Sequence, residues 1–175
     1  MKFKQTLMLK SGKACIIRNA EDADTNEVRR SFLKTHAETD NLRTYPDESK
    51  MTVDEEAGFL QKTADSENAV ELCAVVDGKL VGTAGVEPIG AREKLCHRAE
   101  FGISIEKAYW GQGIGRALRR RALPLPERQG TCSLNCRSLP TTLRRSRCTK
   151  AWDLRSTAET RSVSVLARPD GSRCS

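Results

Sequence analysis

Three glycines in five residues, Gly111, Gly113 and Gly115, mark the stretch of this chain best suited to chemistry. They follow an apolar alternation, Phe101, Ile103 and Ile105, and precede the helix-forming Arg116, Ala117 and Leu118. A strand that enters a glycine loop and leaves it as a helix builds an anion site. Glycine lets the backbone approach a phosphate closely, and the free N–H groups of the first helical turn point at it with the positive end of the helix dipole. Three glycines exceed what an ordinary tight turn requires. Cysteine chemistry is less promising. The seven cysteines are scattered, Cys15 and Cys73 sit among apolar residues as small core hydrophobes, and the Cys132/Cys136 spacing occurs once, far from His36 and His97. No metal site is expected.

The elements that must position the loop can be read in order. Thr6–Leu9 and Ala14–Arg18 are short β-like runs around Ser11-Gly12. From Ala20 to Glu38 the pattern is helical, with Val28, Phe32, Leu33 and His36 on one stripe. After a loop containing Pro46, Thr52-Val53-Asp54-Glu55 matches a capping box and opens a second helix, to about Ala64, that buries Ala57, Leu60 and Phe59. Ala69–Val76 alternates as a strand, Asp77-Gly78 signals a hairpin, and the return strand runs from Lys79 to Val86. A third strand starts near Lys94 or Leu95 and ends at Ile105. The chain is expected to be α/β in the α+β sense: a mixed, mostly antiparallel sheet with flanking helices.

This order, together with Gly113-Ile114-Gly115, resembles the GCN5-related N-acetyltransferases, whose pyrophosphate motif is Gln or Arg, two residues, Gly, one residue, then Gly or Ala. Trp110 stands where Gln or Arg is commonest. The resemblance covers about residues 14–118. It implies an acyl-CoA N-acyltransferase fold, acetyl-CoA as co-substrate, and a small-molecule or peptide amine as acceptor. By the same resemblance, backbone groups of Ile103, Ser104 and Ile105 pair with the pantetheine arm, and Gly111, Gln112, Gly113, Ile114, Gly115 and Arg116 hold the pyrophosphate. An attacking amine must lose a proton. Glu100 is the first candidate base, since it lies on the strand entering the loop and faces away from Phe101 and Ile103; Glu87 is second, and His97 reads as a surface or strand-edge histidine. The resemblance leaves room for a homodimer.

From Arg119 the text changes. Residues 1–118 carry 17 Lys and Arg against 19 Asp and Glu; residues 119–175 carry 13 against 4, twelve of them Arg. Pro124 and Pro126 interrupt the helix, and the family's next strand, parallel to the one before the loop, and its Asn- and Tyr-bearing helix cannot be read. We read the break as a shifted reading frame near Leu118. Trp152 is TGG and Asp153 begins GA, so the shifted codon is GGA, glycine; Cys148–Asp153 can read LYKGLG and Gly130–Cys136 can read GYVQLEL. Resequencing tests this, since a shifted frame full of stops excludes it. The expected domains are therefore an N-acetyltransferase portion, 1–118, and a poorly packed tail, 119–175, with an exposed edge on the strand ending at Ile105, weak acetyl-CoA binding and impaired activity.

The remaining composition narrows partners. Met1–Lys10 lacks a signal-peptide core and no stretch is apolar enough to span a membrane, so a reducing cytoplasm is expected. A competing reading takes the chain as a non-catalytic module that binds acyl-CoA, or nucleic acid through Arg clusters at 119–121 and 144–147. Those clusters lack interleaved aromatics for base stacking, which disfavours nucleic acid.

Overall fold

The computed structural model describes residues 3–39, 42, 45–48, 51–89, 98–123, 133–137, 155–156 and 163–164. Strands β1 (Lys4–Met8) and β2 (Ala14–Asn19) form the first hairpin. Helix α1 (Thr25–Ala37) starts later than the sequence predicts. A 3-10 turn over Asp22–Asp24 precedes it, and there Asp24 takes the Arg18 guanidinium with both carboxylate oxygens, Nη2 to Oδ1 at 2.7 Å. The buried stripe of α1 is Val28, Ser31 and Thr35, with Phe32 and His36 half-buried; Leu33, expected on it, is exposed. Five residues of helix turn Leu33 about 140° from Val28, away from the sheet.

Helix α2 (Val53–Asp65) opens with the expected capping box: Thr52 Oγ1 accepts from the Glu55 N–H at 3.3 Å, and Glu55 Oε2 accepts from the Thr52 N–H at 2.7 Å. It buries Leu60 and Thr63, with Ala57 and Phe59 half-buried. Strands β3 (Val70–Val76) and β4 (Lys79–Pro88) meet at Asp77-Gly78, where both residues have positive φ, as a two-residue hairpin requires. Strand β5 (Arg98–Ile105) pairs antiparallel with β4, and helix α3 (Ile114–Ala122) follows the glycine loop.

The main sheet has the order β1-β2-β3-β4-β5-β6, antiparallel up to β5. Strand β6 (Ser133–Arg137) is parallel to β5, pairing Arg98–Gly102 with Ser133–Arg137. Strands β7 (Arg155–Ser156) and β8 (Val163–Ser164) form a separate small ladder. One sheet face packs on α3 through Ile17, Leu72, Val86, Phe101, Ile114 and Leu118. The other face packs on α1 and α2 through Val28, Leu60, Cys73 and Leu80. A bulge resets the alternation, since Gly82 pairs with Ala74 but Leu80 with Val75, so Val81 joins Ala84 and Val86 on the α3 face while Leu80 turns to α1 and α2.

Two expectations about the C-terminal part are corrected. The helix does not lose its packing at Leu118: it continues to Ala122, with Ala122 and Leu123 buried and the Arg121 guanidinium 3.9 Å from the Phe3 ring centre, and ends just before Pro124. The β5 edge is not bare along its length, because β6 supplies a parallel partner over Arg98–Gly102. His97, Cys132, Trp152 and the 144–147 Arg cluster lie outside the described residues, as does most of the predicted tail. Among the described residues, no helix is long and apolar enough to cross a membrane.

Candidate functional site

The loop that joins β5 to α3 has the shape its glycines predict. Gly111 and Gly113 have φ of +77° and +101°, conformations an L side chain resists, and a Cβ at either would meet nothing within 4 Å. Gly113 is the N-cap of α3 and its carbonyl accepts from the Ala117 N–H at 3.1 Å. The N–H groups of Ile114, Gly115 and Arg116 therefore lie in the first turn, where no helical acceptor reaches them. Ile114 sends its side chain into the core and Arg116 is exposed. Gly115 serves packing, since a Cβ there would sit 3.1 Å from Ile105 Cδ1. Gln112 turns its side chain inward: Nε2 donates to the Ala108 carbonyl at 3.2 Å and Oε1 accepts from Ser11 Oγ at 2.8 Å. The first-turn N–H groups of Ile114, Gly115 and Arg116 thus follow directly on two left-handed glycines that carry no side chain.

The end of β5 presents a second recognition element. Residues of an antiparallel ladder alternate between directing N–H and C=O at the partner strand and away from it. The Glu106 N–H donates to the Val81 carbonyl at 2.9 Å, and the Ser104 carbonyl is so close to β4 that a Cβ on Gly82 would lie 2.7 Å from it. Ile103 and Ile105, one step out of phase, direct theirs to the opposite edge. Among the described residues, β6 pairs with that edge as far as Gly102 and nothing pairs with it at Ile103 and Ile105. Ser104, predicted to share the edge, instead pairs its backbone with Thr83 and reaches the site through its side chain, with Oγ 3.5 Å from Thr83 Oγ1. Trp110 closes the element: its Nε1–H donates to the Ile105 carbonyl at 2.7 Å.

On the α1/α2 face of the sheet a cavity of about 490 Å³ opens beside this edge. Its apolar wall includes Phe32 and Phe59, and its polar wall includes Glu56, Glu71, Glu87 and Glu100. Glu100 stands opposite Glu87 in the β4–β5 register and faces the cavity together with Ser104, as its place in the alternation predicts. Burial raises the Glu56 carboxyl above its ordinary range, against the pull of Arg29. Burial likewise lowers His36, whose Nδ1 lies 2.8 Å from the Phe32 carbonyl and whose ring stacks on Phe32, so the imidazole is neutral at pH 7. Sequence reasoning missed Glu56, Glu71 and His36. Only strand register and helix docking bring them to Glu100.

It also missed Glu106, whose side chain is fully buried just past the strand end. Arg30 Nη1 and Lys34 Nζ donate to it at 2.8 and 2.7 Å, and Lys79 Nζ lies 3.5 Å away. Burial opposes its charge, but these cations hold the carboxyl below its ordinary value. The Lys107 N–H donates to Glu38 at 2.6 Å, so α1 grips the entrance to the glycine loop at two points.

Comparison with known proteins agrees with this geometry. The model of the acetyltransferase (GNAT) family matches residues 27–140, past the Leu118 limit read from sequence. The L-amino acid N-acetyltransferase AaaT of Escherichia coli K12 is 24% identical over 110 residues, a match spanning 63% of this chain and 63% of that protein. A GNAT-family acetyltransferase from Streptococcus pneumoniae superposes with a TM-score of 0.74 at 23% identity, covering 87% of this chain and 96% of that one. YncA of Salmonella typhimurium, solved with its cofactor acetyl-CoA, superposes with a TM-score of 0.70 at 16% identity, covering 90% of this chain and 99% of that one. With a family match over more than half its length, the chain belongs to the GNAT family of acetyltransferases.

Proposed function

We propose that the chain is an N-acetyltransferase that moves an acetyl group from acetyl-CoA to a primary amine. The observation that carries this reading is the alignment of two binding elements with one cavity. The loop at 111–116 follows a strand edge at Ile103 and Ile105 that no described residue pairs with, and the cavity lined by Glu100 opens beside that edge. The residues fit the co-substrate: the first-turn N–H groups of Ile114, Gly115 and Arg116 suit a pyrophosphate, with Arg116 as an exposed cation. Ile103 and Ile105 suit the amides of pantetheine, taken up as an added strand. Acetyl-CoA supplies the activated thioester.

Glu100 accepts the proton that the attacking ammonium must shed, directly or through one water, and Glu87 opposite it is the reserve base. The apolar wall from Phe32 and Phe59 accommodates the carbon skeleton of a small-molecule or peptide acceptor. The Escherichia coli relative is named for L-amino acids, which places amino acids first in an acceptor panel. The two tyrosines, Tyr45 and Tyr109, both precede the tail, so the tail offers no phenol as acid for the departing thiolate, and we infer slow turnover. The test is thiol release from acetyl-CoA across a panel of amino acids, peptides and diamines. Amine-dependent release that Glu100→Gln abolishes supports the reading; release independent of any amine, or none with any amine, contradicts it.

A further inference from the structure

Trp110 occupies the motif position where the family most often has Gln or Arg, and its indole is already bonded. The acceptor is the Ile105 carbonyl, one of the groups that ladder alternation directs at the uncovered edge. A ring held 2.7 Å from an edge-facing carbonyl stands in the lane an added strand would use. Trp110 is 40% exposed, so the ring borders solvent into which it can move.

We propose that Trp110 is an affinity-determining residue that competes with the co-substrate for its own binding edge. In the free protein the indole N–H satisfies the Ile105 carbonyl. When a pantetheine arm lies along Ile103 and Ile105, its amide N–H takes that carbonyl and the indole swings into water. Each binding event therefore breaks one hydrogen bond before it makes one, which weakens binding of every CoA species alike. This rests on the co-substrate reading above.

The chain has two tryptophans, Trp110 and Trp152, so Trp152→Phe leaves Trp110 as the only indole emitter. Coenzyme A titrated into that variant is expected to shift the emission to the red, with a midpoint matching calorimetry. Trp110→Phe keeps a ring but removes the competing donor, and is expected to bind coenzyme A about threefold to tenfold more tightly, the worth of one net hydrogen bond. Unchanged Trp110 emission at calorimetric saturation overturns the proposal. So does equal or weaker binding by a folded Trp110→Phe. If Trp110→Phe does not fold, the emission titration decides alone. Absence of binding by the wild-type chain overturns the co-substrate reading, and the proposal with it; binding with an unmoved indole overturns the proposal only.

Discussion

Glu100 and Glu106 sit six residues apart and meet opposite surroundings. Glu100 faces the open cavity; Glu106 is enclosed by Arg30 and Lys34 from α1 and Lys79 from β4. Their substitutions are expected to separate cleanly. Glu100→Gln removes a proton acceptor and lowers kcat about a hundredfold or more, while calorimetric acetyl-CoA affinity stays unchanged. Glu106→Gln keeps the shape but loses two charge-assisted hydrogen bonds. Its two donors remain a third exposed and regain water, so the cost is about 2 kcal/mol in urea unfolding. A wild-type unfolding midpoint for Glu106→Gln shows that the cluster adds no stability. Glu100 was legible because strand alternation is local. Glu106 was not, because its partners Arg30 and Lys34 lie 76 and 72 residues away in the chain.

At the scale of elements, local signals were read well and distant ones poorly. Thr52 and Glu55 cap α2, Asp77-Gly78 turns the hairpin, and the glycines open α3, each through residues a few positions apart. The cap is expected to contribute about 1 kcal/mol, so Thr52→Ala lowers the unfolding midpoint without touching co-substrate affinity. Gly115→Val places a branched side chain where even a Cβ meets Ile105 at 3.1 Å, and is expected to push α3 off β5, raising the acetyl-CoA KM as it lowers stability. Strand β6 was missed for a physical reason. Ser133–Arg137 alternates only over Leu134 and Cys136, too short a pattern to signal a strand, and its pairing with β5 is a contact distant in sequence. With β6 paired over Arg98–Gly102, weak acetyl-CoA binding no longer follows from an exposed β5 edge along that stretch.

Across the whole molecule the sheet divides labour. Its α3 face is an apolar core, and its α1/α2 face trades part of that core for a cavity lined by ionisable groups. Acid sensitivity follows. Burial puts His36 below its ordinary 6.5, so the unfolded chain takes up that proton more readily and stability falls as pH drops through 6.5. Asp24 and Glu106, held down by their cations, contribute stability that is lost only in stronger acid, below 3.8 and 4.5. Glu56, raised by burial, runs the other way: its contribution is full below 4.5 and is lost as pH rises through its raised value. The urea midpoint is therefore expected to fall between about pH 7.5 and about pH 5.5, and His36→Gln to flatten that slope. An equal slope in the variant assigns the effect elsewhere.

We propose that the glycine loop and the edge of β5 at Ile103 and Ile105 bind acetyl-CoA. Isothermal titration of acetyl-CoA into the wild-type chain and into Gly113→Val tests it directly. The variant forces a branched side chain into a left-handed position at the N-cap of α3, which the loop leaves only by changing shape. One saturable site is expected in the wild type, and at least about tenfold weaker binding in a folded Gly113→Val. No binding heat from the folded wild-type chain, or equal affinity in the variant, would contradict it.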